Sequence, residues 1–91
     1  MTVRVALAPM LGERIGGRSA VHIDGTTVAE VLRTLGERFP DLNPLLWNAK
    51  GEFNSFLVVF LNDQDVRELE GLDTGLRAGD ELSIISALEG G

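Results

Sequence analysis

Few residues in this chain could carry chemistry, and their scarcity narrows what it can do. There is no cysteine among the 91 residues, so a disulfide framework, a thiolate metal site and a thiol nucleophile are all excluded. His22 stands alone in an alternating apolar segment; with no cysteine or second histidine to share a ligand shell, it reads as a surface residue rather than a metal ligand or base. Asp63 and Asp65 have the alternate spacing of a calcium loop, but the glycine and closing glutamate that such a loop needs are missing. Gly12, Gly16 and Gly17 have the wrong spacing for a dinucleotide or phosphate loop, and no Ser/His/Asp set rises above chance composition. The chain is therefore not expected to be an enzyme, and no metal site is expected. What remains is its end, Gly90-Gly91. An extended run from Ala87 to Gly91 spans at most about 3.5 Å per residue, so it reaches roughly 15 Å into the site of another protein. Without a Cβ, the two glycines can pass a narrow channel and adopt backbone angles closed to other residues. Leu88 can anchor the root of such a tail. By itself the glycine pair is weak evidence, since chance supplies one about once in two hundred chains.

The elements that would present this tail are legible from periodicity. Val3, Val5 and Leu7 alternate with Thr2, Arg4 and Ala6 as a half-buried strand that ends before Pro9. Gly12 to Gly17 reads as a turn, and Ser19, Val21 and Ile23 alternate as a second strand, so a β-hairpin opens the chain. Thr27 followed by Glu30 matches a capping box, after which Val28, Val31, Leu32, Leu35 and Phe39 form one apolar stripe of a helix that Pro40 ends. Residues 41–55 read as a loop with one short helical turn pinned by Trp47. Phe56 to Leu61 is an apolar run of strand length; Asn62-Asp63-Gln64-Asp65 turns to a short return at Val66, and Glu81 to Ile85 form the last strand.

Hairpin, helix, strand, short strand and strand make an α+β chain of the β-grasp type. We expect a mixed sheet packed on one main helix, a domain over residues 1–86 and a flexible Gly-Gly tail over 87–91. A strand covered on one face should alternate, and Phe56 to Leu61 does not. If Leu57, Val59 and Leu61 face the helix, then Phe56, Val58 and Phe60 lie on the opposite face, where exposed apolar surface marks a protein interface. Phe60, Val58 and Ile85 are the candidate docking patch; Asp65 and Arg67 read as turn residues.

Composition agrees with a single folded domain. Hydrophobic residues make up 44% and charged residues 24% of the chain, as in globular proteins and unlike disordered segments. A net charge of −6 argues against nucleic acid as a partner, because phosphate neutralisation needs a basic surface. An acidic chain fits basic patches on protein partners instead. No apolar run approaches the roughly 18 residues of a membrane span, and the first residues lack the apolar core of a signal peptide, so a cytoplasmic protein without membrane attachment is expected.

Taken together, the β-grasp pattern, the Asn62-Asp63-Gln64-Asp65-Val66-Arg67 element, the Ala78-Gly79-Asp80 turn before the last strand and the terminal Gly90-Gly91 resemble the MoaD/ThiS sulfur carriers. The length and the Asn-Asp-x-Asp-Val-Arg element are most similar to the actinobacterial carriers of cysteine synthesis. The resemblance implies that an E1-like enzyme adenylates the Gly91 carboxylate with ATP, that a sulfide source converts it to a thiocarboxylate, and that a sulfur-accepting synthase takes the sulfide. No cofactor would be bound by the carrier itself. Members commonly carry a proline and small apolar residues before the glycines, where this chain has Ser86 and Glu89. Cysteine or another sulfur metabolite is the favoured product, with molybdopterin, thiamin and tRNA thiolation open. A ubiquitin-like modifier joined through Gly91 to target lysines is the alternative, and a docking module that never reacts is a third reading. The lone Lys50 disfavours chain building on the protein itself.

Overall fold

The computed structural model describes residues 2–87. The expected alternation makes β1 (Thr2–Leu7), in which Val3, Val5 and Leu7 are buried and Thr2 and Arg4 are exposed. Antiparallel to it runs β2 (Ala20–Asp24), in the register Val5 to Val21 and Val3 to Ile23. The two strands are joined by more than the expected glycine turn. Pro9 opens a helical turn, α1 (Pro9–Gly12), where a missing N–H costs nothing, and a 3₁₀ turn over Glu13–Ile15 follows. This connection exists because Leu11 is fully buried in the core. Gly16 and Gly17, with φ of 80° and 81°, then reverse the chain in a conformation that favours glycine. Gly12 answers a different demand, since a Cβ there would run into the Arg18 carbonyl.

Helix α2 (Val28–Arg38) starts as the capping pattern requires. The Glu30 N–H donates to Thr27 Oγ1 at 3.1 Å, while Glu30 Oε1 accepts from the Thr26 N–H at 2.8 Å, one residue earlier than the standard box. Val28, Val31, Leu32 and Leu35 are fully buried, and Phe39, just past the helix end, is half-buried. Between Pro40 and Ser55 the expected helical turn is α3 (Asn43–Leu46), preceded by a 3₁₀ turn over Pro40–Leu42. Trp47 pairs with Phe53 in an isolated bridge, their rings edge to face with centroids 5.6 Å apart. Leu42 and Leu46 reach the core, so this segment closes one end of it rather than lying outside.

Strands β3 (Leu57–Leu61), β4 (Gln64–Asp65) and β5 (Glu81–Ser86) complete a five-stranded sheet of order β2-β1-β5-β3-β4. Only the central β1–β5 pair is parallel, and the others are antiparallel. The sheet is mixed and α2 packs on one face, as expected of a β-grasp. Phe56 departs from the expectation. It lies in the turn before β3, outside the strand's alternation, and packs against the core instead of sharing the open face with Val58 and Phe60.

Candidate functional site

The open face of the sheet is fixed by register. Val58 on β3 sits beside Ile85 on β5, and Phe60 sits beside Ser83, which itself neighbours Ala6 on β1. Leu57 and Val59 point the other way into the core, so Val58, Phe60 and Ile85 stand together on the face opposite α2, each half-buried. Further along the face the surface becomes polar. Arg4 pairs with Glu81 as neighbours on the parallel strands, and Thr2 donates to Asp24.

Strand β5 carries the chain from the middle of the sheet to its end. Ser86 is buried, and the Ala87 N–H donates to the Phe56 carbonyl at 2.8 Å. Beside this exit lies a groove of about 530 Å³, lined by Ala8 and Pro9 after β1 and by Ile85 and Ser86 on β5. Leu88, Gly90 and Gly91, the other residues of the expected tail, lie outside the described residues.

Two of the features that carry the family resemblance, the Asn62 element and the Ala78-Gly79-Asp80 turn, meet in space. Asn62, with φ of 55°, occupies the left-handed turn after β3 and donates from Nδ2 to Asp80 Oδ1 at 3.3 Å. Its Oδ1 accepts from the Glu81 N–H at 3.1 Å, and its own N–H donates to the Glu81 carbonyl at 2.8 Å. The turn after β3 therefore holds the start of β5. The only local sign of this pairing is an asparagine in a turn, a residue able to adopt positive φ. Asp65 accepts the Arg67 backbone N–H at 2.9 Å and the guanidinium at 2.6 Å, capping the 3₁₀ turn Val66–Glu68. The Arg67 hydrogen bonds hold the Asp65 carboxyl below the usual carboxylate range. This fits the turn role expected of both residues.

Among the described residues no group of three or more His, Asp or Glu side chains could hold a metal, and no helix is long and apolar enough to cross a membrane. The described arrangement is a scaffold whose last strand runs out beside the open face and the groove at Ile85 and Ser86.

A five-stranded mixed sheet with a parallel centre, one main helix across it and the last strand leading out of its middle defines a ubiquitin-like β-grasp protein. Three comparisons narrow the class. The model of the ThiS family matches residues 11–91. The sulfur carrier protein CysO of Mycobacterium tuberculosis is 30% identical over 93 residues, covering 100% of both chains. CysO in the crystal structure of the Amycolatopsis orientalis BexX/CysO complex superposes with a TM-score of 0.82 at 30% identity, over 92% of this chain and 93% of that one. SAMP1 from Haloferax volcanii superposes with a TM-score of 0.85 at 26% identity, over 100% of both chains. The chain belongs to the ThiS family.

Proposed function

We propose that this protein is a sulfur carrier whose working group is the carboxylate of Gly91. The observation that carries the reading is the full-length similarity to sulfur carrier protein CysO, on a fold whose central strand leads the chain out at Ala87. The chemistry follows from what a carboxylate lacks. Its oxygen is a poor leaving group, so an E1-like partner would let it attack the α-phosphorus of ATP, expelling pyrophosphate and forming an acyl-adenylate. A sulfide nucleophile then attacks the acyl carbon and AMP departs, leaving a thiocarboxylate. No electrons are gained or lost on the carrier, and the protein needs no bound cofactor. Val58, Phe60 and Ile85 form the face that docks on the activating enzyme and on the accepting synthase. Ala87, Leu88 and Gly90 span the distance from that face to the partner's active centre.

A sulfur-accepting synthase that builds cysteine or a related metabolite is the favoured destination, given the similarity to CysO. A second reading, conjugation of Gly91 to lysines of other proteins, is favoured by the likeness to SAMP1, a small archaeal modifier protein. Intact-mass measurement after incubation with ATP, a sulfide source and the host's E1-like enzyme separates the readings. A gain of about 16 Da, one oxygen replaced by sulfur, that disappears when Gly91 is deleted supports the carrier. Gly91-dependent adducts on other proteins without that gain support the modifier. Neither product, from an enzyme shown to be active on its own carrier, leaves the non-reactive docking module.

A further inference from the structure

The chain carries a net charge of −6 and only eight basic residues, yet three arginines line one groove. Arg14 lies in the 3₁₀ turn after α1, Arg18 lies just before β2, and Arg38 is the last residue of α2; together with Ile15, Phe39 and Asp41 they enclose about 290 Å³. Phe39 organises two of them. The guanidinium carbons of Arg18 and Arg38 stand 5.6 and 5.5 Å from its ring centroid, so the ring supports both cations without using their N–H edges. Arg38 also donates to the His22 carbonyl at 2.8 Å. Among the described residues the ion pairs engage Arg4 and Arg67, so none of these three arginines is in an ion pair. A cluster of like charges repels itself, and its natural complement is an anion.

The groove also runs on toward the exit of the chain. Arg18 lines a second groove with Leu7, Pro9, Gly17 and the acidic Glu13, and Leu7 and Pro9 line the groove beside Ile85 and Ser86. Three neighbouring grooves that share lining residues thus lead from Ile85 and Ser86 to the arginines, past the carboxylates of Glu13 and Asp41. All three arginines are exposed, and the guanidinium carbons of two of them stand over the Phe39 ring. A single phosphate needs convergent, enclosed donors. Carboxylates on one side of an extended peptide recur about every 7 Å, and each can meet its own guanidinium.

We propose that these grooves seat an extended segment of a partner protein. Its carboxylates fall among Arg14, Arg18 and Arg38, and its apolar residues lie toward Ala8 and Ile85. The arginine end of the site lies apart from Val58 and Phe60, while its apolar end reaches Ile85 at the edge of the open face; the site does not depend on the chemistry of Gly91.

The test is a nitrogen-15 NMR titration of the full chain with hexaglutamate, alongside inorganic phosphate at matched ionic strength. Hexaglutamate is expected to give saturable shifts at Arg14, Arg18 and Phe39. The affinity should fall about two- to fivefold for Arg14→Ala and again for Arg18→Ala, and binding should vanish between about 50 and 500 mM salt. Arg18→Lys, which keeps the charge and loses the fork, should fall between wild type and Arg18→Ala, and serves if the alanine variant folds poorly. Deleting Gly91 should leave binding unchanged, so failure of the sulfur chemistry and failure of this site are told apart. The proposal is overturned by the absence of saturable shifts or by shifts confined to other surfaces. Phosphate binding as tightly as the peptide, or the same shifts appearing on raising the protein concentration alone, would overturn it as well; the former means a small-anion site and the latter a contact between copies.

Discussion

Replacing Phe60 by alanine separates the stability of the domain from its recognition. Phe60 lies on the open face beside Ser83 and Asp65, half-buried and outside the packed core. A fully buried Phe→Ala change costs about 3–5 kcal/mol, so the half-exposed position should cost about 1–2 kcal/mol. In a domain of this size that lowers Tm by about 5–15 °C and leaves the protein folded at room temperature. If the face docks on the activating enzyme, an aromatic at its centre is worth about 2 kcal/mol of binding. The carrier's kcat/KM in adenylation should then fall about 30-fold. The loss should fall on KM, since Phe60 would touch no reacting group. Pyrophosphate exchange with varied carrier, run beside thermal unfolding, reads both quantities. Leu69→Ala is the control, because Leu69 is a large apolar residue, 38% exposed, that follows the 3₁₀ turn Val66–Glu68 and is not one of the residues assigned to this face. A kcat/KM within twofold of wild type for Phe60→Ala, with Tm lowered as worked above, would refute the assignment of the face.

Three further outcomes are expected. Thr27→Ala removes the acceptor of the Glu30 N–H and should cost about 1 kcal/mol in urea unfolding. Asp65, whose carboxyl is held low chiefly by the Arg67 side-chain hydrogen bonds, should titrate below its unfolded-state value in an NMR pH series and return toward it in Arg67→Ala. Because the folded-state value is the lower one, its contribution to stability is complete above the unfolded pKa and is lost as pH falls through the folded one, so acid unfolding of Asp65→Asn should be less steep. Gly12→Ala forces a Cβ against the backbone carbonyl of Arg18; a loss of about 1–3 kcal/mol in chemical denaturation is expected, as for other overpacked positions.

The parts of the fold legible in the sequence were those whose signals are local. Thr27 and Glu30 mark the start of α2 because capping is settled within one turn, and the alternation of β1 is settled by which side of one strand is wet. Connections were harder. Pro9 to Gly12 is too short for any helical period, and the burial of Leu11, like that of Leu42 and Leu46, depends on segments distant in sequence. Phe56 extended an apolar run by one residue, but the ladder begins after it and the turn sends it inward. At the candidate site the sequence placed Val58 and Phe60 on one face by alternation, whereas their proximity to Ile85 depends on the β3–β5 register. The arginine groove carried no sequence signal. Arg14 and Arg38 are far apart in the chain, and only the packing of α2 beside the β1–β2 connection joins them.

The parallel pairing of β1 with β5 has a mechanical consequence. The start of β1 and the end of β5 lie at opposite ends of the same ladder, from Arg4 beside Glu81 to Leu7 beside Ile84. A pull on the chain beyond Ala87, resisted at the first residues, loads those hydrogen bonds side by side in shear rather than peeling them one at a time. On its other side β5 is held by β3. Under such a load the domain resists as one body instead of unravelling from the strand that is being pulled.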